Sequence, residues 1–232
     1  MKGYRYDMRG FFEQTVEVYC ERAKVDKSTL RAVNTPSLDD HQIKEEEFEE
    51  EGLLKFQAAK VRMKASYGAR LVRYDLLHAI CSLAREVTRW SKACGRRLHR
   101  LISYLHHSKD LSLEGFVGDP ASNLTVCLYT DADFAGDTRT SKSTSGLYMA
   151  LVGPRTFMPI IAVSKKQSVV SHSSIESGIV ALEYGLRSEG LMILTFWEHV
   201  VAMMHPGAAG RQARNEERTA KAASTATPVS PG

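Results

Sequence analysis

The sequence YTDADFAGDTRTSKSTSG, residues 129–146, and the sequence VSKKQSVVSHSSIES, residues 163–177, decide the fold of this chain. Apolar and polar residues alternate through and beside both stretches, which is typical of β-strands with one buried face. The alternation predicts strands at 124–134, at 146–152 and at 156–164. Short turns join them, so the three strands should form an antiparallel sheet.

A helix is predicted after the third strand. Apolar residues recur at helical spacing over 174–204, and Gly185 and Gly190 should divide this helix into two pieces. Ser174 is the predicted N-cap, because a serine side chain can accept a hydrogen bond from the first free backbone N–H groups.

Upstream of the strands the spacing of apolar residues also predicts helices. One should span 4–32, and two basic amphipathic helices, separated near Trp90, should span 58–104. The predicted fold class is therefore α+β, with an N-terminal helical region followed by a three-stranded antiparallel sheet and a helix. The chain divides into an N-terminal helix with an acidic segment (1–57), a basic helical region (58–110), a sheet-containing domain (111–204) and a low-complexity tail predicted to be disordered (205–232).

The composition excludes several classes of protein. The chain has 232 residues, of which 43% are hydrophobic, and this is enough for a globular core. Its four cysteines show neither metal-ligand spacing nor the pattern of a disulfide framework. No apolar run reaches the ~18 residues of a membrane span, and the N-terminus lacks the apolar segment of a signal peptide. We therefore expect a soluble intracellular protein, cytoplasmic or nuclear, that does not bind membranes.

Basic residues are concentrated in the middle of the chain. Residues 60–109 contain twelve Lys and Arg against two acidic residues, whereas the whole chain has a formal net charge of +4. Such a segment is a candidate surface for the phosphate backbone of a nucleic acid, and an ordinary solvated helix surface is the alternative. The acidic run at 45–51 is expected to be a solvated helix face or loop, with a docking segment as the alternative.

The motifs in the strand region resemble the start of the ribonuclease H domain in copia-type LTR retrotransposon Pol polyproteins, whose pattern is SDADWAGD, KSTSG, SKKQ and SSTEAEY. Here the corresponding sequences are TDADFAGD, KSTSG, SKKQ and SSIESGI. The upstream sequence, including YGARLVRYDLLHAI and GRRLHRLISYL, resembles the connection that follows the reverse transcriptase in these polyproteins. The likeness covers about 4–198 and is strongest over 126–183. It implies a truncated ribonuclease H-like fold.

This resemblance implies metal-dependent hydrolysis of RNA in an RNA/DNA hybrid. Two Mg²⁺ ions need carboxylates that converge from different elements. On the alignment Asp131 is the first metal ligand and Glu176 is retained, whereas the second helix glutamate of the family is replaced by Gly178. Asp131 and Glu176 are therefore the candidate catalytic and metal-binding residues, and Mg²⁺ is the expected cofactor if the chain is active. The later strands of the family have no counterpart, so the first strand should have an unpaired edge near 126–129.

The same resemblance implies contacts with nucleic acid, because the connection helices of such polyproteins carry the template-primer duplex. Basic side chains would bind phosphates there. The candidates are Arg96, Arg97, Arg100 and Lys109 in the helices and Lys142, Lys165 and Lys166 in the KSTSG and SKKQ motifs. For the residues of these two motifs, ordinary turn chemistry is the alternative role.

The sequence supports three hypotheses. The first is a fragment of a copia-type polyprotein that associates with an RNA/DNA hybrid, and with the remainder of the polyprotein, but has no efficient nuclease activity. The second is a nucleic-acid-binding module that acts through the basic helices alone. The third is an active Mg²⁺-dependent ribonuclease H that recruits Glu176 or is completed by another chain.

Overall fold

Five strands form one open antiparallel sheet in the computed structural model of the chain, which describes residues 1–55, 57–137 and 140–204. The strands are β1 (Lys2–Tyr6), β2 (Leu113–Val117), β3 (Thr125–Asp137), β4 (Lys142–Gly153) and β5 (Thr156–Lys166). Their order across the sheet is β1-β2-β5-β4-β3, and each neighbouring pair is antiparallel. The predicted α+β class is confirmed, with two strands more than the three predicted.

Helices lie on both faces of this sheet. They are α1 (Arg9–Ala23), α2 (Glu46–Glu49), α3 (Ala58–Leu71), α4 (Leu77–Arg85), α5 (Lys92–His107), α6 (Ser174–Gly185) and α7 (Leu191–Met204), with a π-helical turn at Leu186–Gly190. We call α1 to α5, with their connections, the helical region. In β4, Leu147 faces Gly185 of α6, whereas the next residue, Tyr148, contacts Tyr74 of the helical region. Because successive side chains of a strand point to opposite faces, the sheet separates α6 from the helical region.

The main hydrophobic core lies inside the helical region. Its buried members recur at helical spacing on α1, α3, α4 and α5, which is how amphipathic helices cover one another. The largest fully buried ones are Phe12, Val16, Val61, Ile80, Leu83, Leu98, Leu101, Ile102 and Leu105. Ala162 of β5 packs against this core and joins it to the sheet. Each such side chain contributes about 1.5–3 kcal/mol when it is buried.

The first residues form a strand, not the helix predicted over 4–32. β1 pairs with β2 along its whole length, from Lys2 opposite Val117 to Tyr6 opposite Leu113. Every residue of β1 is exposed, so no apolar alternation marks this strand in the sequence. Its partner lies more than one hundred residues away, as the 2.7 Å ion pair between Arg5 and Glu114 illustrates, and local periodicity cannot detect such pairing.

Three helices replace the two predicted between 58 and 104. The additional break separates α3 from α4, and Arg73, which is buried with 2% of its surface exposed, holds it in place. Its guanidinium donates to both carboxylate oxygens of Asp75, and to the carbonyl and hydroxyl oxygens of Ser108 at 2.7 and 2.8 Å. The predicted break near Trp90 is confirmed: α5 begins after Ser91, whose hydroxyl accepts the Cys94 N–H at 3.3 Å.

We call the segment from β3 to α6, residues 125–185, the motif region. Its strands and helix agree with the prediction, with small shifts. Ser173, not Ser174, caps α6, because its hydroxyl accepts the N–H of Glu176 at 3.1 Å. β3 lies at the end of the sheet, and within the described residues it pairs only with β4, so the unpaired edge expected near 126–129 is present.

The tail predicted to be disordered, 205–232, lies outside the described residues. Within the part of the chain that the structure describes, no helix combines the length and apolar character needed to cross a membrane.

Candidate functional site

Asp131 and Asp133 lie on the same face of β3, the face toward the helical region. Tyr129, two residues earlier, contacts Tyr148 on that face, and strand alternation places both aspartates with it. One Asp131 carboxylate oxygen accepts the N–H of Ala132 at 2.8 Å. Asp133 accepts the N–H of Thr144, so it helps to end the β3–β4 pairing. Both line an open cleft of about 480 Å³ beside α4.

The β3–β4 pairing becomes irregular immediately after these aspartates. The register shifts between Asp133 and Asp137, and Ala135 takes a left-handed φ of 53°. The N–H of Ala135 donates to the hydroxyl of Ser143 at 3.1 Å. The irregularity interrupts the β3–β4 pairing, which resumes at Asp137 opposite Lys142.

The side chain of Glu176 is hydrogen-bonded to the backbone at the start of α6. Its carboxylate accepts the N–H of His172 at 2.7 Å while its own N–H donates to Ser173. The two bonds satisfy backbone donors at a helix N-terminus in the manner of a capping box. Gly178 lies one half-turn further on, and a Cβ at that position would meet no atom within 4 Å. The position that carries a glutamate in the resembling family therefore has room for a side chain.

The structure does not bring Asp131 and Glu176 together around one ion. Leu128 and Thr130 of β3 face Gly185 of α6, so Asp131, which alternates with them, points to the opposite face of the sheet. Within the described residues no group of three or more His, Cys, Asp or Glu side chains is placed to hold a metal ion. These carboxylates do not fit the converging oxygen ligands that Mg²⁺ requires.

Asp137 forms an ion pair with Lys166. Partial burial disfavours its charged form, but the hydrogen bond and charge of Lys166 and the N–H of Thr140 at 3.1 Å outweigh this and lower the pKa of Asp137 to about 2. The carboxylate is therefore ionised at any physiological pH. The pair joins the end of β3 to the end of β5.

The KSTSG and SKKQ motifs also hold α6 against the sheet. The buried amide of Gln167 donates to the hydroxyl of Ser145 at 3.1 Å and to the carbonyl of Ser177 at 2.8 Å. Its backbone N–H donates to the carbonyl of Ser143 at 2.8 Å, and its side-chain oxygen accepts from Ser171 at 3.3 Å. Buried polar groups that are fully bonded in this way fix a unique arrangement. These residues thus have a structural role that connects both motifs to the helix.

The three lysines proposed as phosphate contacts in these motifs each bind a group of the chain itself. Lys142 donates to the carbonyl of Ser168 at 2.6 Å, and the ammonium group of Lys165 lies 4.2 Å from the centre of the Tyr184 ring. Lys166 is paired with Asp137. Asp137, the partner of Lys166, lines one cleft together with Arg97 of α5, and Asp39, Asp40 and Asp133 also line it, so acidic side chains lie between these lysines and the basic helices.

The basic residues proposed in the helices are also paired within the chain. On α5, Arg96 binds Glu47 at 2.5 Å, Arg97 binds Asp40, and Arg100 donates twice to Thr35 at 2.9 Å. Lys109 binds Glu13 at 2.6 Å. Most of the acidic partners come from the segment at 39–51, which therefore docks on α5 instead of being only solvated. The hydrogen bond from Arg96 works with its charge against partial desolvation and lowers the pKa of Glu47.

A larger basic groove lies between the end of α1, the segment that follows it, and α5. It encloses about 880 Å³. Part of its wall is apolar and is formed by Leu53, Leu54 and Val33. On its floor the hydroxyl of Tyr19 is hydrogen-bonded to His99 at 2.9 Å. Six basic side chains line it, and none of its lining residues is Asp or Glu. They are Arg22, Lys24, Arg31, Lys92, Arg96 and Arg100.

Three of these six cations were missed by the sequence analysis: Arg22, Lys24 and Arg31, which follow or end α1, outside the segment that carries the largest positive charge. Lys92 lies within that segment but was not named as a phosphate contact. The end of α1 is itself unusual, because Lys24 stops the helix with a left-handed φ of 53°, a conformation that is more typical of glycine. The clustering of Arg22 and Lys24 at the end of an amphipathic helix was the available signal.

Comparisons with protein-family models, with curated proteins and with solved structures found no match to this chain.

Proposed function

We propose that this chain is a fragment of a copia-type retrotransposon Pol polyprotein that binds nucleic acid, in particular an RNA/DNA hybrid, and has no efficient nuclease activity. It corresponds to the connection helices and the first part of a truncated ribonuclease H-like domain. The remainder of such a polyprotein is a further partner in this proposal. The motifs TDADFAGD, KSTSG and SKKQ support the ancestry.

The basic groove is the observation that carries the binding function. Six cations with no lining carboxylate form the kind of surface that replaces the counterions of a phosphate backbone. Arg22, Lys24 and Arg31 are exposed and form no ion pair within the described residues. These three side chains can bind phosphate without first releasing a partner.

The other groove cations must exchange partners. Lys92 binds Glu50 at 2.8 Å and Arg96 binds Glu47, so phosphate has to displace carboxylates of the acidic segment. The Lys92–Glu50 pair is exposed, and such pairs contribute little stability, typically about 0.2–1 kcal/mol, whereas Glu47 is buried and its exchange costs more. A polyanion that offers several phosphates at once can therefore replace them.

Weak or absent nuclease activity follows from the positions of the carboxylates. Asp131 and Glu176 lie on opposite faces of the sheet, and Glu176 is bonded to the N–H of His172. The resembling family has a second glutamate on this helix, and glycine at position 178 leaves α6 without a carboxylate there.

Binding is tested by fluorescence anisotropy with a labelled RNA/DNA hybrid at several salt concentrations. If all six groove cations contact phosphate, the plot of log K against log [salt] should have a slope of about −5. Replacing Arg22, Lys24 and Arg31 together with glutamine should weaken binding and reduce the slope to about −3.

The matched control changes three exposed arginines of the sheet and α6 side, Arg5, Arg155 and Arg187, to glutamine. This variant has the same net charge as the groove variant, so it should bind as the unmodified chain does if the groove is the binding surface. Equal losses in both variants would mean that net charge alone attracts nucleic acid. A flat salt response would exclude phosphate binding altogether.

Nuclease activity is tested by incubating the chain with a labelled hybrid and Mg²⁺ and separating the products by gel electrophoresis. We expect no cleavage above that of the Asp131→Asn variant purified in parallel. Metal-dependent cleavage that Asp131→Asn abolishes would instead establish the active ribonuclease H. If Glu176→Ala left that cleavage unchanged, Glu176 would not be its second ligand.

A further inference from the structure

The open edge of the sheet and one flank of α6 form a continuous surface that nothing in the described chain covers. β3 extends over Thr125–Asp137 and pairs only with β4 within the described residues, so its other side presents free backbone N–H and C=O groups. Such an edge is a template for another strand.

Beside this edge, α6 and the first residue of the π-helical turn that follows it carry an exposed apolar stripe. Its four members are Ile175, Ile179, Leu182 and Leu186, which are 74, 62, 44 and 49% exposed. Their spacing of four, three and four residues is that of the seam of a coiled coil, in which each apolar side chain packs against a second helix. A stripe of this period therefore fits an apolar helix better than an irregular peptide.

The stripe lies on the flank of α6 that faces the open edge. The inner side of α6 is formed by Ser177, Ala181 and Gly185, which are buried against the sheet. Tyr184, on one flank, contacts Lys165 of β5, toward the interior of the sheet. At about 100° per residue the four stripe residues fall on the opposite flank, which is the side of β3. The edge and the stripe are therefore parts of one surface.

The helix that follows extends this surface. Gly190 lies 3.9 Å from Leu128 of β3, measured from an ideal Cβ, and α7 continues from there with no buried residue. Its sequence LMILTFWEHVVAMM is apolar nearly all round, a pattern that is typical of a helix buried in a larger assembly. Residues 205–232 cannot supply matching side chains, because they contain no Leu, Ile, Met, Phe, Tyr or Trp.

We propose that this surface binds a second copy of the same chain in a two-fold symmetric dimer. A partner must offer both a free strand edge and an apolar helix beside it, and this chain offers that combination itself. A two-fold axis perpendicular to the sheet near Cys127 pairs the neutral half of β3, Thr125–Tyr129, with its own copy in antiparallel orientation. Asp131 then lies opposite Asn123 of the other copy, so like charges do not face one another.

The same axis brings the two helices together. It keeps both copies of α6 on one face of a joined ten-stranded sheet and sets them antiparallel. Gly185 lies against Leu128 and Thr130, close to the axis, so the stripe of each copy runs away from the axis and faces α7 of the other copy. Such an interface is isologous, because each residue meets the same surface on the partner. The proposal is independent of nucleic-acid binding, since the basic groove lies in the helical region on the other side of the sheet.

The first test measures the mass of the full chain by sedimentation velocity between about 1 and 100 µM. We expect a concentration-dependent approach to twice 25.8 kDa. Ile179→Glu combined with Leu182→Glu should leave the chain monomeric across this range, because both side chains are exposed in the single copy. Met63→Glu on α3, where the side chain is 59% exposed, is the control and should dimerise normally. Circular dichroism verifies that all variants are folded.

The second test is amide hydrogen exchange at low and high protein concentration. Backbone amides of Thr125–Tyr129 should exchange at least tenfold more slowly in the dimer. A chain that stays monomeric, that forms polydisperse aggregates, or that dimerises without protecting β3 would overturn the proposal. So would a monomer that sediments with phosphatidylcholine vesicles, because the apolar helices would then bind lipid.

Discussion

The helical region and the motif region bury their apolar residues in different ways. In the helical region four helices cover one another, and their largest apolar residues are completely buried. In the motif region α6 covers β3 and β4 with small residues, and its large apolar residues face outward. The helical region is therefore the self-sufficient one, whereas the region with the KSTSG and SKKQ motifs has the surface of a part that packs against something else.

The two regions also differ in what their ion pairs connect. In the helical region the cations of α5 are matched by acidic residues some fifty positions away, as in the pair of Arg96 and Glu47. In the motif region the main ion pair, Asp137 with Lys166, joins strand ends and leaves the edge of β3 free. Stability should therefore depend mainly on the helical region, and association mainly on the motif region. The following variants test this division.

The largest effect is expected from a core residue of the helical region. Leu98→Ala removes a side chain that is fully buried on α5, and the free energy of unfolding should fall by about 2–5 kcal/mol. Ile179→Ala on α6 removes as much apolar volume from an exposed position and should change it by less than about 0.5 kcal/mol. Urea denaturation at low protein concentration measures both. Equal losses would contradict the division.

The next largest loss of stability is expected when the ion pair between the buried Arg73 and Asp75 is broken. Arg73→Met leaves Asp75 and the carbonyl of Ser108 without their donor, and stability should fall by about 1.5–3 kcal/mol. The control is Arg5→Met, because Arg5 and Glu114 form an exposed pair in the sheet whose loss should be nearly neutral. Thermal denaturation of both variants decides the comparison. If Arg5→Met were the more damaging change, β1 would be essential to the fold.

A smaller effect of opposite sign is expected at Gly178. Alanine there meets no atom and removes flexibility from the unfolded chain, so Gly178→Ala should raise the free energy of unfolding by about 0.4–1 kcal/mol. Gly185→Ala should instead lower it, because its Cβ would lie 2.9 Å from Leu147. Urea denaturation distinguishes the two signs. A loss at Gly178 would mean that this part of α6 is packed against a neighbour.

The smallest effect concerns acid stability. The pKa of Asp137 is about 2 in the folded chain and 3.8 ordinarily, so its pairing with Lys166 stabilises the fold above pH 3.8, and this contribution is lost as the pH falls through 2. Lys166→Gln should lower stability by about 0.2–1 kcal/mol at pH 6, and the difference should disappear near pH 2. The loss caused by Leu98→Ala should persist at both pH values. Denaturation at pH 6, 3 and 2 measures this, and a constant difference for Lys166→Gln would exclude a charge effect.

Local periodicity predicted the elements whose buried faces are regular. The hairpin of β4 and β5 and the helix over 174–204 have apolar residues at the expected spacing, and their predicted positions are close to the observed ones. β1 was missed because it is exposed along its length and forms only through pairing with β2. The break at Arg73 was missed because a buried arginine, not a glycine or proline, produces it.

The candidate sites were predictable to different degrees. The excess of positive charge at 60–109 indicated the basic helices, but not that the acidic segment at 39–51 pairs with them, since those ion pairs depend on the tertiary fold. The basic groove could not be predicted, because it forms only where three separate segments converge in the fold. The face of β3 on which Asp131 lies follows from strand alternation, but only the position of α6 shows that Glu176 lies on the other side.

The π-helical turn at Leu186–Gly190 sets the orientation of α7 relative to α6. A π turn accommodates one residue more than an α-helical turn, so the run from Ser174 to Met204 contains one residue more than a regular α-helix would need to connect the two helices. Removing one residue, for example Ser188, would restore a regular helix and rotate α7 by about 100° relative to the stripe on α6. A single codon thus sets the angular phase between the two apolar helices without altering either of their sequences.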